Sequence, residues 1–332
     1  MKTKLSILGL LLLSLNLFAF ETLLKTGTHG SIFVKLNSSQ ADYRIDYTKW
    51  VPENEKDDNP VIVYNHGLQS HRGWENETFE KLRDKGFVVY AFDRIGSGTS
   101  DKELSADMTT RLKGHINKWE SFVETLDQFL ENVKQEYPKS PIHLWANSYG
   151  AKIVTAYLLQ NKDERITSTV FTTPGLYRNV VSMPVTLEMM RDFKNADPER
   201  YFKSMITDKF SNGGVWFTDD EKYLKLIDDD KKSLRIMTKQ FLVQTQLMDD
   251  FIKEKSADVK NSLNSQERLY VMVRGDEMMD NGKVLAHIAQ NPDGAQSKFF
   301  NGGKKHKHFL AFTEDADKVF DYIVNFLSPK TN

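Results

Sequence analysis

Apolar and polar positions follow two alternating patterns along the chain. Continuous runs of β-branched and aromatic residues, such as residues 61–64, are typical of strands buried on both faces of a sheet. Between these runs, apolar residues recur at the three- and four-residue spacing of an amphipathic helix. The predicted strands are an early hairpin of 32–36 and 43–50 and the buried runs 61–64, 87–92, 142–146, 166–172, 269–273 and 297–300. The predicted helices are 77–85, 115–137, 149–159 and 315–327.

This alternation predicts an α/β fold with a mostly parallel central sheet flanked by helices on both faces. The stretch 174–265 departs from it, because it has helical patterns and no convincing buried strand. Its helical patterns cover 185–193, 219–227 and 231–252. We therefore expect a core formed by residues 20–173 and 266–332. The stretch 174–265 is expected to be a helical cap over the sheet edge where open α/β sheets bind ligands.

The first 19 residues have the pattern of a targeting signal. Lys2 and Lys4 form a short positive region, and a mostly apolar run over 5–20 follows it. That run has the length of a signal-peptide core and is short for a membrane-spanning helix. We expect residues 1–19 to be a signal peptide and the protein to be exported, either periplasmic or secreted. An uncleaved N-terminal membrane anchor is the alternative.

The composition excludes several classes of function. The chain has 45 Lys and Arg residues against 46 Asp and Glu residues, a net charge of -1. This balance argues against a nucleic-acid binder, which usually carries a clear basic excess. The chain has no cysteine, so disulfides, thiolate metal sites and a cysteine nucleophile are excluded. No metal or organic cofactor is implied.

The segment Ala146-Asn147-Ser148-Tyr149-Gly150 lies between a predicted buried strand and a predicted helix. This is the setting of a nucleophile elbow, a tight turn that lifts a serine hydroxyl clear of the sheet. Small residues are needed two positions before and two positions after the serine. Gly150 meets this need, and Ala146, also small, stands where glycine is usual. Ser148 is therefore the candidate nucleophile.

Two loops after buried strands complete this picture. An oxyanion hole needs two backbone N–H groups aimed at the developing negative charge. We expect Tyr149, directly after the candidate nucleophile, to supply one. Leu68, in the loop that begins with His66-Gly67, is expected to supply the other. The glycine-containing segment 93–100 lacks the glycine spacing and the Lys-Ser/Thr ending of a phosphate loop, so it is interpreted as a structural turn.

A catalytic serine needs a histidine base and an acid that orients it. In this strand–turn–helix setting the chain order is serine, acid, histidine, which predicts the acid within 275–280 and the base within 302–308. The second segment holds His306 and His308. A metal-binding pair formed by these two histidines is the alternative, although no carboxylate or third histidine is near in sequence.

These motifs together resemble the α/β-hydrolase branch that contains bacterial lysophospholipases and monoglyceride lipases, often grouped with serine-aminopeptidase-like hydrolases. The resemblance spans roughly residue 59 to the C-terminus, including the helical insertion. The stretches that carry it, in order, are 66–67, 93–100, 113–116, the Ser148 elbow, 276–281, 303–306 and 323–327.

The resemblance implies roles for individual residues. The nucleophile of the family falls on Ser148, its acid on Asp276 and its base on His306. The turn before the acid is shorter than usual, which leaves Glu277 as an alternative acid. His308 is likewise an alternative base, since the segment 308–310 resembles the same region in other hydrolases.

We therefore expect an exported serine carboxylester hydrolase that cleaves lysophospholipid-like or acylglycerol esters through an acyl-enzyme. An aminopeptidase of the same fold is one alternative, and it would need a cap carboxylate, such as one from the run 228–230, to bind the free amine. A non-catalytic binding protein is the other, and the complete order of serine, acid and histidine argues against it.

The expected partner is a small-molecule or lipid ester. Residues of the cap could line an acyl site, although most of them could equally form the core of the cap. These candidates are Met183, Met189, Met190, Phe193, Trp216 and Phe217. The lysines Lys304, Lys305 and Lys307 beside the predicted base form either a solvated loop or a contact with an anionic substrate or a membrane surface.

Overall fold

The computed structural model describes residues 26–38, 41–100, 113–179, 187–203, 213–258, 263 and 266–328. The predicted signal peptide, 1–19, lies outside these residues, as do Met183 and the start of the cap helix predicted at 185. The strands are β1 (Thr28–Leu36), β2 (Ala41–Trp50), β3 (Val61–Asn65), β4 (Val88–Phe92), β5 (Ile142–Asn147), β6 (Ile166–Thr172), β7 (Tyr201–Lys203), β8 (Ile236–Thr238), β9 (Glu267–Val273) and β10 (Ala295–Phe300). The α-helices are α1 (Asn76–Asp84), α2 (Glu120–Glu136), α3 (Tyr149–Gln160), α4 (Leu187–Asn195), α5 (Gly214–Phe217), α6 (Glu221–Asp229), α7 (Lys239–Ser256), α8 (Asn281–Gln290) and α9 (Ala316–Leu327).

Eight strands form one sheet in the order β1-β2-β4-β3-β5-β6-β9-β10. β2 pairs antiparallel with both β1 and β4, whereas the strands from β4 to β10 in this order pair in parallel. The predicted α/β class with a mostly parallel sheet is confirmed. The carboxyl ends of the parallel strands meet at one edge, and the loops after β3, β5 and β9 all leave the sheet there.

The central strands are buried on both faces, as their continuous apolar runs predict. Every residue of β3, β4 and β5 is buried. Successive side chains point to opposite faces of a sheet. Val61 and Val63 pack on the face covered by α2, α3 and α8, while Ile62 and Tyr64 pack on the face covered by α1 and α9. The sheet is therefore the middle layer of a three-layer structure.

The segment between β6 and β9 contains α4 to α7 and a small antiparallel sheet of β7 and β8. The sequence predicts no strand here, because a three-residue strand carries no measurable periodicity. The helix predicted over 231–252 begins only at Lys239, since the Thr238 side chain accepts a hydrogen bond from the Phe241 N–H at 3.1 Å. Such side-chain capping defines a helix start.

Helix α8 was not predicted from the sequence. Asp280 precedes it and caps it, accepting a hydrogen bond from the Lys283 N–H at 3.0 Å. Val284 and His287 bury one side of this short helix against the sheet. In the ranges that the structure describes, no helix is long and apolar enough to cross a membrane.

Candidate active site

Ser148 lies in the turn between β5 and α3 with φ 48° and ψ -112°. This left-handed backbone is uncommon for a residue with a side chain. The start of α3 lies so close to the end of the neighbouring strand β3 that a Cβ at Gly150 would lie 2.2 Å from the Asn65 carbonyl oxygen. Gly150 is therefore required to be glycine. The Ser148 carbonyl accepts a hydrogen bond from the Gly175 N–H at 2.8 Å, which ties the turn to the chain after β6.

His308 connects Ser148 to Asp276. Its Nε2 lies 2.9 Å from the Ser148 Oγ, and its Nδ1 lies 2.7 Å from the Asp276 Oδ2. The side chains of His308 and Asp276 are each 1% exposed, so the pair is shielded from water. The other carboxylate oxygen of Asp276 accepts hydrogen bonds from the N–H groups of Met278 and Met279, at 2.8 and 3.3 Å. These bonds orient the carboxylate toward the imidazole.

The structure distinguishes the two acids that the sequence left open. Asp276 faces His308, while Glu277 is exposed to solvent. Asp276 directly follows Gly275, which has a φ of 69° in the turn after β9. The short turn therefore delivers the first acidic residue, not the second, to the sheet edge.

The choice of His306 as base is wrong. His306 is exposed, and its Nδ1 lies 3.0 Å from the Asn301 carbonyl oxygen, a contact in which the ring donates. The reason is a compact turn in which Gly302, Gly303 and His306 have φ of 66°, 73° and 53°. This turn takes up chain length, so His308 arrives at Ser148 two residues later than a gap-free comparison predicts.

The surroundings of the two histidines carry a signal that sequence analysis missed. His306 lies among three lysines of a charged run that favours solvent. Phe309 and Leu310, directly after His308, are both buried. A base that must be shielded from water is more compatible with the apolar neighbours. The His308 backbone N–H also donates to the Trp216 carbonyl at 3.1 Å, so α5 holds the loop that carries His308 in place.

The residues expected to form the oxyanion hole lie around Ser148. Tyr149 begins α3 directly after Ser148, and Leu68 lines the same cavity as Ser148. No backbone hydrogen bond between described residues uses the N–H of Leu68 or of Tyr149 outside the regular elements. Both N–H groups are thus compatible with the predicted role, which stays a prediction.

The segment 93–100 is a structural turn. Asp93 accepts hydrogen bonds from the Arg72 and Thr99 N–H groups, both at 2.9 Å, and forms an ion pair with the Arg72 guanidinium. A Cβ at Gly98 would lie 2.2 Å from this carboxylate. Burial would raise the pKa of Asp93, but the charge of Arg72, the neighbouring His71 and His66 and the hydrogen bond from the Arg72 N–H together lower it. The carboxylate thus organises the turn as an anion and leaves no space for a phosphate.

A small cavity of about 20 Å³ opens beside Ser148. Its lining is largely apolar and amide, and among the described residues it includes no carboxylate side chain. The lining residues are Gly67, Leu68, Gln69, Ser70, Trp74, Asn147, Ser148, Phe217, Met278 and Phe309.

Of the predicted acyl-site residues, Phe217 lies in this lining. Phe193 instead packs on Phe202, with ring centroids 5.1 Å apart, and Trp216 is half-buried outside the lining. The side chains of Met189 and Met190 lie outside the described part of the structure.

The acidic run 228–230 does not supply a free carboxylate to this cavity. Asp230 is buried and accepts hydrogen bonds from the Trp74 indole at 2.8 Å and the Ser233 hydroxyl at 2.7 Å. The His71 Nε2 lies 3.2 Å from the same carboxylate oxygen. Asp230 therefore joins the loop after β3 to the segment after α6.

The metal-site alternative finds no support in the described residues. His308 is engaged between Ser148 and Asp276, and His306 contacts a backbone carbonyl. In the part of the chain that the structure covers, no group of three or more His, Asp or Glu residues is arranged to hold a metal ion.

Comparison with known proteins agrees with this architecture. Residues 56–282 match the family model described as serine aminopeptidase, S33. The chain is 28% identical over 123 residues to phospholipase YtpA of Bacillus subtilis, covering 36% of this chain and 43% of that protein. It is 27% identical over 143 residues to probable lysophospholipase L2 of Haemophilus influenzae, covering 42% and 43%. The matches thus span less than half the length of these relatives.

The fold is similar to a solved structure over nearly the whole chain. A soluble variant of monoglyceride lipase from Saccharomyces cerevisiae, in complex with a substrate analog, superposes with a TM-score of 0.69 at 16% identity. The superposition covers 91% of this chain and 95% of that chain. The family model covers more than half of the 332 residues. The chain belongs to the serine aminopeptidase S33 family of α/β-hydrolases.

Proposed function

We propose that the protein is a serine carboxylester hydrolase that cleaves acyl esters of the lysophospholipid or monoacylglycerol type. The observation that carries the proposal is His308, which lies within hydrogen-bond distance of both Ser148 and Asp276. A serine hydroxyl, an imidazole and a buried carboxylate in this order are the parts of an acyl-transfer site.

The geometry supports a two-stage reaction. The Ser148 Oγ attacks the ester carbonyl carbon while the His308 Nε2 accepts its proton. Asp276 holds the imidazole by its Nδ1–H and stabilises the imidazolium that forms. The C–O bond to the alcohol then breaks, and His308 returns the proton to the leaving oxygen.

A water molecule completes the cycle. It attacks the carbonyl carbon of the acyl-enzyme while His308 accepts its proton. The bond to the Ser148 Oγ then breaks, His308 returns the proton to this oxygen, and the fatty acid leaves. In both stages the carbonyl oxygen becomes negatively charged, and the N–H groups of Leu68 and Tyr149 are suited to bind it.

The cavity beside Ser148 favours esters over substrates with a free amine. A peptide N-terminus is a cation and needs a nearby carboxylate, and the described lining contains none. Its apolar members, including Trp74, Phe217 and Phe309, suit a hydrocarbon chain instead. Three relatives have names that refer to lipid esters. They are a phospholipase, a probable lysophospholipase and a monoglyceride lipase.

Two measurements test the proposal. A fluorophosphonate probe should label the wild-type protein at Ser148, and Ser148→Ala should remove the label. Values of kcat/KM for nitrophenyl esters from acetyl to palmitoyl should rise with chain length, since each buried methylene contributes about 0.8 kcal/mol. A maximum at acetyl would contradict the lipid assignment. Faster cleavage of an aminoacyl nitroanilide would favour an aminopeptidase, and no labelling at all would favour a binding protein.

We also propose that the protein is exported. Lys2, Lys4 and the apolar run over 5–20 support this, as a positive region followed by a signal-peptide core. Mass spectrometry of the protein isolated from its native cells should find a mature N-terminus near residue 20. An intact N-terminus in the membrane fraction would favour the anchor instead.

A further inference from the structure

Arg94 is a buried cation next to the predicted oxyanion loop. It follows β4 at the sheet edge that holds Ser148, and it is 3% exposed. Its neighbour Asp93 is engaged by Arg72. Among the residues that the structure describes, no carboxylate forms an ion pair with the Arg94 guanidinium. A buried positive charge without an ion-pair partner is costly, so it calls for a functional explanation.

The guanidinium of Arg94 donates hydrogen bonds to the loop that carries Leu68. Its Nη2 lies 3.1 Å from the Gly67 carbonyl oxygen and also bonds to the Leu68 carbonyl. The His66 Nδ1 lies 2.8 Å from the same Gly67 oxygen. The Arg94 backbone N–H donates to the His66 Nε2 at 3.2 Å, so the ring proton must be on Nδ1. Burial, together with the Arg94 charge, lowers the pKa of His66 to about 3, which keeps the ring neutral.

Two donors on one carbonyl fix the plane of its peptide group. The peptide that begins with the Gly67 carbonyl ends with the Leu68 N–H, one of the two donors expected at the oxyanion. A hydrogen bond from a cation to the carbonyl end also polarises the amide and strengthens its N–H as a donor.

Arg94 also contacts the residue that carries the second expected donor. Its guanidinium carbon lies 5.0 Å from the centre of the Tyr149 ring and 5.9 Å from that of Phe241. The positive charge therefore lies beside both Leu68 and Tyr149 in a region shielded from water. In such surroundings a cation stabilises a nearby anion more strongly than in solvent.

We propose that Arg94 is a positioning residue that orients the Gly67–Leu68 peptide and stabilises the negative charge of the tetrahedral intermediate. This inference rests on the proposed function, because it assigns Arg94 a role in the reaction of Ser148.

The test compares Arg94→Met and Arg94→Lys with a matched control, Arg268→Met. Arg268 is fully buried and likewise donates to backbone carbonyls, those of Asn291 at 2.8 Å and Asp293 at 2.7 Å. It lies near the amino end of β9, at the opposite edge of the sheet. Four quantities are measured for each protein. They are kcat and KM for a nitrophenyl ester, the inhibition constant of a trifluoromethyl ketone, and the rate of labelling by a fluorophosphonate.

The ketone forms a tetrahedral adduct with the serine oxygen and so reports on the oxyanion site. Arg94→Met should lower kcat about 100-fold, as loss of an oxyanion donor does, while KM changes less than threefold. The inhibition constant of the ketone should rise by a similar factor. Arg94→Lys, which keeps the charge, should recover part of kcat. It provides the test if Arg94→Met does not fold. Arg268→Met should lower the stability to urea and leave kcat unchanged.

The outcomes separate this inference from the proposed function. If the wild-type protein is not labelled by the fluorophosphonate, the proposed function and the inference both fail. If it is labelled at Ser148 and folded Arg94 variants react at the wild-type rate, only the inference is overturned. A rise in KM alone, or a fall in kcat with unchanged ketone affinity, would also overturn it.

Discussion

Ser148 has a backbone conformation that costs a residue with a side chain on the order of 1–3 kcal/mol. Three backbone hydrogen bonds hold it there. The Ser148 N–H donates to Thr172 at 3.0 Å, and its carbonyl accepts from Ala151 and Gly175 at 3.0 and 2.8 Å. These bonds anchor the Ser148 backbone to β6, to α3 and to the loop after β6. They keep the Ser148 Oγ within reach of His308.

Exchanging either histidine of the base loop for alanine should have very different effects. His308→Ala should lower kcat about 10⁴-fold or more, and Ser148→Ala by a similar factor, because nucleophile and base act as a unit. The double variant should be no worse than either single one. His306→Ala is the matched control, two positions away and exposed, and it should keep most of the activity. Steady-state kinetics with a nitrophenyl ester measure all four proteins.

Loss of activity in His306→Ala with an active His308→Ala protein would contradict the hydrogen bonds seen here. Multiplied losses in the double variant would show that Ser148 and His308 act in separate steps.

Glu75 should make the stability of the fold depend on pH. Burial raises the pKa of Glu75 to about 7, against the opposing hydrogen bond from the Tyr64 hydroxyl. Between about pH 4.5 and 7 the folded protein therefore binds more protons than the unfolded chain, and the free energy of unfolding falls as the pH rises. The full effect is about 3 kcal/mol, at about 1.4 kcal/mol for each unit of pKa.

Glu75→Gln removes this titration and retains a carbonyl oxygen for Tyr64. Urea unfolding at pH 4.5 should give nearly equal free energies for the two proteins. At pH 8 the variant should be the more stable one. A constant difference across this range would mean that Glu75 has its ordinary pKa in the folded protein.

At the scale of elements, the strands were predictable from the sequence because burial on both faces leaves an unbroken apolar run. All of β3 and β4 is buried, and the runs 61–64 and 87–92 predict these strands to within one residue. Helix α8 was missed because it is short and follows directly on the acid loop, so its Asp280 cap was counted with the candidate acids.

The candidate nucleophile and the candidate base differ in predictability for a physical reason. Ser148 lies between two periodic elements, and the tight approach of β3 and α3 restricts the residue type at Gly150. His308 follows a turn whose path depends on the left-handed conformations of Gly302, Gly303 and His306. Glycine signals that such conformations are allowed, but not how many residues the turn uses. The sequence therefore predicts the segment that contains the candidate base and not which of its two histidines lies beside Ser148.

Gly150→Ala tests the close contact between β3 and α3. The added Cβ would lie 2.2 Å from the Asn65 carbonyl oxygen, so the backbone must shift. We expect a loss of at least about 1–3 kcal/mol in the free energy of unfolding, together with loss of esterase activity. Gly282→Ala in α8 is the control, since its Cβ would meet one side-chain oxygen, of Asp280, at 3.3 Å. Equal urea stability of the two variants would contradict the contact.

At the scale of the whole molecule, α7 from the segment between β6 and β9 packs on the helix that follows the nucleophile. The Tyr149 hydroxyl lies 2.9 Å from the Thr245 hydroxyl, and the Tyr149 and Phe241 rings stack with centroids 5.8 Å apart. Lys152, 1% exposed, forms an ion pair with Asp249. Substitutions in α7 can therefore shift the start of α3, and with it Ser148, without contacting the substrate.

Removing Asp249 from its ion pair with Lys152 should lower the free energy of unfolding more than removing Lys152 does. Asp249→Leu leaves a buried cation without its partner and should lower the free energy of unfolding by about 3 kcal/mol at pH 7. Lys152→Met should cost less, because the Asp249 side chain is 22% exposed and has Arg178 3.7 Å away. The double variant should recover most of the loss, since two apolar side chains replace two charges.

The pH dependence gives the decisive check on this ion pair. Burial lowers the pKa of Lys152 to about 8, against the opposing charge of Asp249. A lysine whose pKa is lowered on folding is destabilising below the folded pKa, and the penalty disappears as the pH rises toward its unfolded value of about 10.4. The deficit of Asp249→Leu relative to the double variant should therefore shrink between pH 7 and 10 in urea unfolding experiments. A deficit that stays constant would mean that Lys152 is neutral or solvated, and that the contacts of Tyr149 alone hold α7 against the core.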